Sequence, residues 1–380
     1  MFNYKEIYEA YLRCRKRKRN TINALQYEAN LIENLCNLET SLNEKTYKPK
    51  RCVCFLTTSP KLREVFAADF SDRVVHHLIV PILEQIYEPS FVHDSYSNRK
   101  NRGIHGASKR AQHFMRGSSY YLQLDIKNFF YAIDKDILFL KLQDKILKDY
   151  HKVKDTTIQM YEMLGLVHTV VYQDVTKDVI IKGDKKSFEH IPAHKTLFKI
   201  PKNRGLPIGN LTSQFFANVY MNDFDNFIKR ELKCKRYLRY VDDFVLFSES
   251  KKELKQLYQK IQTFLQQELK LTLRSRYFLK SNDEGLDFLG YIIRPHYTLV
   301  RKRVVNNFKF KKANFLERYE YMRGTMGLEE IKHFLSLQAS FVGHASHANS
   351  YKLINKVGKI NEKDPFSFDR CYCFFLCRYE

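Results

Sequence analysis

Several features that would identify other classes of protein are missing from this chain. It has no tryptophan, and none of its apolar runs approaches the roughly 18 residues that a membrane span needs. Its eight cysteines form no paired Cys-x-x-Cys pattern, and no signal peptide precedes them. Internal repeats and long low-complexity linkers are also missing. These absences argue against a membrane protein and a disulfide framework, and they indicate a reduced, cytosolic setting.

Two local clusters are open to more than one interpretation. Cys371, Cys373 and Cys377 lie close together near the C-terminus. No histidine stands at ligand spacing beside them, so free thiols in an apolar tail are favoured over a metal site. A basic run over residues 13–19 fits either a solvated helix face or a contact with RNA phosphates, and the sequence favours neither.

Acidic residues are scarce relative to basic ones. The chain has 42 Asp and Glu against 65 Lys and Arg, which gives a formal net charge of +23. Self-repulsion of this size destabilises a compact fold unless a polyanion usually occupies its surface. Nucleic acid is therefore the expected partner, with an affinity that falls steeply as salt rises. The 29 phenylalanines and 25 tyrosines supply rings for the core and for base stacking.

Two adjacent carboxylates, Asp242 and Asp243, interrupt an apolar and aromatic run over residues 237–247 that is typical of a β-hairpin. Strand side chains alternate between faces, so both can act together only if the chain turns there. A second apolar strand, residues 121–130, carries Asp125. Three such carboxylates on neighbouring strand ends could hold two Mg²⁺ ions about 3.5–4 Å apart, an arrangement suited to in-line attack on phosphorus. The alternative is that Asp-Asp pairs commonly lie in solvated turns.

Periodicity and turn signals outline the remaining chain. Helices are predicted over residues 1–50, 74–86 and 134–166, and extended structure over residues 167–200 and 270–276.

Other motifs flank the acidic strands. A basic loop over residues 95–107 contains two glycines that would let cations approach phosphates closely. A Gly-x-Pro-x-Gly turn at residues 205–209 leads into an amphipathic helix. A hairpin strand over residues 286–293 precedes basic helices over residues 301–360.

This order of motifs resembles the fingers, palm and thumb of reverse transcriptases over residues 50–350. The resemblance implies an α+β fold, a right-hand polymerase in which an antiparallel sheet carries the catalytic aspartates and a helical thumb follows. The implied domains are a basic helical region (1–50), fingers (51–120), a palm (121–295) with an inserted basic segment at about 167–200, a thumb (296–360) and a C-terminal tail (361–380).

Residues 206–214, Leu-Pro-Ile-Gly-Asn-Leu-Thr-Ser-Gln, look like the matching stretch of diversity-generating retroelement enzymes. Retron and group II intron enzymes usually have Gln-Gly and Ser-Pro there. The resemblance implies an RNA-directed DNA polymerase, encoded by a bacterium or phage, which copies a structured noncoding RNA into DNA from a primer and dNTPs. An accessory protein or a second reverse transcriptase is a further candidate partner, and no membrane is expected.

Two alternatives to the diversity-generating type stay open. One is an antiphage-defence reverse transcriptase that makes repetitive DNA from an associated noncoding RNA. The more distant one is a non-catalytic RNA-binding scaffold. The chain has no recognisable RNase H, zinc endonuclease or integrase segment, so we expect it not to cut a target alone.

The resemblance also implies roles for individual residues. Asp125, Asp242 and Asp243 match the catalytic triad that binds two Mg²⁺, or Mn²⁺ as a substitute, with the Ile126 carbonyl as an extra ligand. Phe130 matches the aromatic gate that excludes a 2′-hydroxyl, and simple packing is the alternative. Three further groups are candidates for dNTP binding (Arg63, Arg73, Arg99, Lys100, Gln214), the forming base pair (Ile208, Gly209, Asn210) and the primer grip (Phe288, Leu289, Gly290, Tyr291).

Arg276 matches a lysine that is thought to assist pyrophosphate departure in this family. Arginine gives up a proton far less readily than lysine, so this substitution leaves the proton-donating role in doubt.

Overall fold

The computed structural model describes residues 1–16, 21–58, 61–184, 186–322 and 326–358. The C-terminal cysteines and residues 17–19 of the basic run lie outside this part of the chain. The chain divides into two units. Unit 1 comprises Met1–Asn101, Gln123–Val245 and Lys255–Tyr277, and unit 2 comprises Arg102–Leu122, Leu246–Leu254 and Phe278–Glu380.

Helices and strands alternate irregularly along the chain. The helices are α1 (Tyr4–Arg15), α2 (Ile22–Ala29), α3 (Leu31–Asn43), α4 (Phe70–Tyr87), α5 (Ile104–Arg116), α6 (Phe129–Ala132), α7 (Lys135–Asp149), α8 (Met160–Tyr172), α9 (Lys186–Glu189), α10 (Leu211–Asn226), α11 (Lys251–Glu268), α12 (Lys302–Tyr321), α13 (Leu328–Ala345) and α14 (Tyr351–Leu353). The strands are β1 (Val53–Thr57), β2 (Arg63–Ala67), β3 (Tyr120–Asp125), β4 (Ile180–Lys182), β5 (Tyr237–Tyr240), β6 (Asp243–Ser248), β7 (Phe278–Ser281), β8 (Leu286–Phe288), β9 (Tyr291–Ile293) and β10 (Thr298–Val300).

The N-terminal helices of unit 1 confirm the helical periodicity of residues 1–50. Helix α1 packs along α4, and the rings of Tyr11 on α1 and Tyr27 on α2 both contact that of Phe70 on α4. The basic run at the end of α1 is partly used inside the protein. Arg13 donates to the His77 carbonyl at 3.3 Å, and Arg15 pairs with Glu28.

A small sheet in unit 1 has the order β2-β1-β4. Strands β1 and β2 form an antiparallel hairpin, and β4 from the inserted segment pairs parallel with β1. Glu64 on β2 is buried and accepts hydrogen bonds from the Thr196 hydroxyl and the Leu197 N–H, at 2.7 and 2.5 Å. The inserted segment is therefore tied to this sheet by both backbone and side chain.

A four-stranded sheet has the order β5-β6-β3-β7. Its apolar side chains, among them Leu124, Leu238 and Phe244, are buried, because β-branched, aromatic and long apolar residues favour a packed sheet. The residues of α10 are buried on most sides, and this helix packs against α4 and α7. The predicted hairpin at residues 237–247 is thus present, with Val241 and Asp242 at its turn.

Unit 2 contains α5, a third sheet of order β10-β9-β8, and the helices α12 and α13. These two helices pack through stacked rings, with 4.1 Å between the centroids of Phe308 and Phe341 and 4.0 Å between those of Phe315 and Phe334. The helical prediction for residues 301–360 is confirmed as far as the described residues extend.

Two predictions of extended structure were wrong. Helix α8 continues to Tyr172, and the described residues of the inserted segment then contain the short strand β4, α9 and a 3-10 turn at Ala193–Lys195 between loops. Residues 270–276 form a single bridge, from Leu273 to Ile126, in place of a strand. Short apolar runs do not distinguish strand from helix or loop, because tertiary packing decides between them.

Candidate active site

The acidic residues of unit 1 lie where β3 ends and the β5–β6 hairpin turns. The Ile126 N–H donates to the Asp242 carbonyl at 3.2 Å, so the residue after Asp125 is bonded directly to the turn. Burial, followed by the charge of Asp242, raises the pKa of Asp125 to about 6. Burial also raises the pKa of Asp242. The two carboxylates are thus partly buried, and they lie close enough for the charge of one to act on the other.

Asp243 opens β6, and its carboxylate accepts a hydrogen bond from the Gln123 side-chain amide at 3.1 Å. Gln123 lies two residues before Asp125 on the neighbouring strand, so its side chain points to the same face of the sheet. The amide hydrogen bond orients the Asp243 carboxylate without neutralising it.

Three cations act on the acidic pair. The Arg274 Nε lies 2.9 Å from Asp125 Oδ1, and its backbone N–H donates to the Asp125 carbonyl at 2.9 Å. The charges of Lys61 and Arg63 each oppose the rise in the pKa of Asp242. Sequence reasoning missed Lys61 and Arg274. Their only signal was that Lys61 adjoins the predicted strand of Arg63 and that Arg274 lies in the basic stretch before Arg276.

A divalent cation needs several oxygen ligands, and the acidic strand ends supply carboxylates for this purpose. Over the described ranges, no three His, Cys, Asp or Glu side chains are grouped as a ready-made metal site. Asp125 and Asp242 nevertheless fit one, because they are partly buried carboxylates that repel each other and already attract a guanidinium. Carboxylate oxygens are ligands that Mg²⁺ prefers. A metal ion at Asp125 would compete with Arg274.

The candidate base-pair residues lie against β2. The Ile208 carbonyl accepts from the Phe66 N–H at 2.8 Å, and the Asn210 side chain accepts from the Ala68 N–H at 3.4 Å. Gly209 has φ 117°, and a Cβ there would lie 2.8 Å from a Val65 methyl and 2.9 Å from the Phe66 oxygen. Only glycine fits this close approach of two backbones.

Phe130 is partly exposed, and its ring meets that of Phe129 edge to face with 5.5 Å between centroids. Its carbonyl accepts from the Leu206 N–H at 2.8 Å, which joins the Asp125 segment to residues 206–210. Gln214 stands in the first turn of α10, and its N–H donates to the Asn210 carbonyl. The gate candidate and the base-pair candidates therefore belong to one continuous backbone network.

The four cations that the sequence predicted for the triphosphate differ in their surroundings. Arg63 is exposed on β2, and Arg73 lines a cavity of about 200 Å³ together with Gly209 and Asn210. Lys100 is exposed and lies 3.4 Å from Glu84.

Arg99 is the exception among the predicted triphosphate ligands. Its side chain is 5% exposed, pairs with Glu88 at 2.7 Å and donates to the carbonyls of Val92 and Ser95. The burial of the guanidinium, together with its two carbonyl contacts, favours a structural role for Arg99 over the triphosphate contact expected from the sequence.

The candidate primer grip belongs to unit 2. Phe288 and Tyr291 are paired across the β8–β9 hairpin and are buried. Leu289 and Gly290 form its two-residue loop with φ 52° and 91°, the signs that a type I′ turn requires. The Tyr291 hydroxyl donates to the His344 carbonyl at 2.8 Å.

Comparison with known families identifies the class of protein. The model described as "Reverse transcriptase (RNA-dependent DNA polymerase)" matches residues 48–293, which include the acidic strand ends and the hairpin at residues 286–293. The chain belongs to this family. This reverse transcriptase therefore has the α+β, right-hand polymerase fold expected from its motifs. No helix of the described residues is long and apolar enough to cross a membrane.

Curated relatives are similar at low identity. The group II intron-encoded protein LtrA of Lactococcus lactis subsp. cremoris is 27% identical over 308 residues, which cover 71% of this chain and 51% of LtrA. Protein YkfC of Escherichia coli K12 is 22% identical over 77% of this chain and 80% of YkfC. The chain thus spans about half the length of LtrA.

Among solved structures, apo telomerase from Candida tropicalis is 12% identical, with a TM-score of 0.49 over 91% of this chain and 66% of that one.

Proposed function

We propose that this reverse transcriptase is an RNA-directed DNA polymerase that extends a primer at Asp125, Asp242 and Asp243. The observation that carries the proposal is the hydrogen bond between Ile126 and Asp242, which brings Asp125 to the Asp-Asp turn. Two Mg²⁺ or Mn²⁺ ions held there would lower the pKa of a primer 3′-hydroxyl and stabilise the charge on departing pyrophosphate.

The remaining residues of the site bind and orient the substrate. Lys61 and Arg63 act electrostatically on Asp242, so they are placed to attract the triphosphate of a dNTP. The partly exposed ring of Phe130 would exclude a 2′-hydroxyl and select DNA as the product. Gly209 and Asn210 would line the forming base pair, and Arg73 beside them would bind the incoming nucleotide.

Replacement of both turn carboxylates tests the proposal. We expect Asp242→Asn with Asp243→Asn to abolish incorporation of labelled deoxynucleotides on a primed RNA, with RNA affinity unchanged because the basic surface is untouched. Asp155→Asn, which removes an exposed carboxylate, is the matched control. Continued synthesis by the double variant would refute the site.

We also propose that the enzyme belongs to a diversity-generating retroelement and copies a structured noncoding RNA. The motif at residues 206–214 supports a diversity-generating enzyme, and the net charge of +23 supports a large structured RNA as its template. Sequencing the RNA that copurifies, together with the DNA extended from it, tests this. A template with a matching variable repeat in the same locus supports the proposal. Repetitive DNA copied from a short noncoding RNA would instead indicate antiphage defence, and an intron RNA would exclude both.

A further inference from the structure

Arg239 is a fully buried cation that lies three residues before Asp242. It and Asp225 on α10 are both 0% exposed, and the guanidinium forks onto the carboxylate with Nε–Oδ1 and Nη2–Oδ2 distances of 2.8 and 2.6 Å. The remaining N–H groups donate to the Val241 carbonyl at 2.9 Å, Asn218 Oδ1 at 3.3 Å and Ser95 Oγ at 3.2 Å. All five donors of the guanidinium are therefore satisfied.

The contact with Val241 is the one that reaches the site. Val241 has φ 58°, a left-handed conformation that is a genuine outlier for a β-branched residue. Its carbonyl belongs to the peptide that joins it to Asp242, and Arg239 holds that carbonyl. The next carbonyl, that of Asp242, is held by the Ile126 N–H. The strained turn is thus fixed at two successive carbonyls, one by a strand end and one by a buried side chain.

The backbone of Arg239 is held as firmly as its side chain. Its N–H donates to the Asp94 carbonyl, and its carbonyl accepts from the Tyr96 N–H, each at 3.0 Å. The segment around Ser95 therefore covers the outer edge of β5 as a parallel bridge. Arg239 cannot shift along the strand without breaking these bonds. The position of its guanidinium relative to the turn is therefore fixed.

A buried ion pair is weak grounds for a purely structural role. Apolar residues of similar volume commonly replace such pairs at little or no cost in stability, whereas removal of one partner alone leaves an uncompensated charge. Two apolar residues in place of Arg239 and Asp225 would stabilise this core about as much as the ion pair does. They could not, however, donate a hydrogen bond to the Val241 carbonyl. The arrangement is better explained by the turn than by the core.

We propose that Arg239 is a positioning residue, which fixes the Val241–Asp242 peptide so that the Asp242 carboxylate faces Asp125. This inference rests on the proposed function, since it assigns a task to the same three carboxylates. Arg239 is fully buried, so it contacts neither substrate nor metal and acts only through the backbone of the turn.

Two variants separate positioning from folding. Arg239→Lys keeps a cation for Asp225, but its three donors share one nitrogen and lack the planar fork with which the guanidinium reaches both Asp225 and the Val241 carbonyl. Arg239→Met with Asp225→Leu and Tyr237→Phe removes the ion pair together with the Tyr237 hydroxyl, which donates to Asp225 at 2.6 Å, so no charge and no phenol is left unpaired. The Val241 carbonyl, Asn218 Oδ1 and Ser95 Oγ lose the donors that the guanidinium supplied. We expect both to fold, with kcat for dNTP incorporation lowered about 10- to 100-fold. The KM for dNTP should stay within about twofold of wild type.

Binding of Mn²⁺, followed by electron paramagnetic resonance without nucleotides, gives a readout independent of activity. We expect its affinity to fall about tenfold in both variants, as it does when groups that orient metal ligands are lost. Wild-type kcat and Mn²⁺ affinity in either folded variant would overturn the proposal. If neither variant folds, Arg239 serves folding and the proposal is also overturned. A failure of the proposed function gives another result: the variant with Asp242→Asn and Asp243→Asn would still synthesise DNA.

Discussion

Replacing Asp125 by Asn should stabilise the metal-free protein at neutral pH while it abolishes activity. Burial and the charge of Asp242 raise the pKa of Asp125 from 3.8 to about 6. Because the folded state holds this proton more tightly than the unfolded chain, ionisation of Asp125 opposes folding. The opposition is complete above pH 6 and absent below about pH 4, where the carboxyl is protonated in both states.

The size of the effect follows from the same pKa. A change from 3.8 to about 6 corresponds to about 3 kcal/mol, and it already includes the opposing attraction of Arg274. The Asp125 side chain is 35% exposed, so solvent screening reduces the expected gain in unfolding free energy to about 1–2 kcal/mol. Asparagine has nearly the same shape and carries no charge, so the gain is purely electrostatic.

Urea unfolding of wild type, Asp125→Asn and Asp155→Asn in EDTA, at pH 7.5 and pH 4, measures this difference. Asp125→Asn should be the most stable at pH 7.5, and its advantage should disappear at pH 4. Added Mg²⁺ should then stabilise wild type more than Asp125→Asn. An Asp125→Asn protein that is no more stable than wild type in EDTA at pH 7.5, or an advantage that is unchanged at pH 4, would refute the electrostatic reasoning.

Two other substitutions probe the nucleotide side of the site. Phe130→Ala should raise the ratio of ribonucleotide to deoxynucleotide incorporation, and an unchanged ratio would remove the gate role. Gly209→Ala should lower the free energy of unfolding by about 1–3 kcal/mol, because its Cβ meets Val65 and Phe66 at under 3 Å and φ is positive. Gly165→Ala, in the middle of α8 with nothing within 4 Å, is the control and should be neutral or stabilising by up to about 1 kcal/mol. Equal melting temperatures for the two glycine variants would contradict the close approach.

The sequence predicted the acidic site better than its surroundings. The sequence predicts that Asp125 and Asp242 lie together, because carboxylates in apolar strands need a neutralising cation that they can share. This requirement does not depend on the conformation of the loops. Arg274 could not be predicted. Its contact with Asp125 depends on an irregular segment that pairs with Ile126 through one bridge, and such loops carry no periodicity.

Arg99 shows how little a basic residue in a loop reveals about its surroundings. A basic residue in a glycine-containing loop predicts a phosphate ligand, yet its guanidinium is buried against Glu88 and two carbonyls. The charge of a residue does not tell whether its side chain points into solvent. For Arg99 the direction depends on Glu88, which lies 11 residues earlier in the chain. Arg239 likewise lies in a run that the sequence predicts to be an apolar strand, and its burial depends on Asp225, which belongs to a helix distant in sequence.

The local costs of the fold meet at the Val241–Asp242 peptide. Val241 is left-handed, the Asp242 carboxylate is repelled by Asp125, and Arg239 is desolvated beside it. The strained conformation of one residue costs on the order of 1–3 kcal/mol, and desolvation of a buried charge costs several kcal/mol. The surrounding hydrogen bonds keep these groups in place. A protein that only bound RNA through its basic surface would gain nothing from them. Three unfavourable features meet at one peptide, which argues that the catalytic task of the turn, and not the stability of the sheet, determines the geometry of the turn.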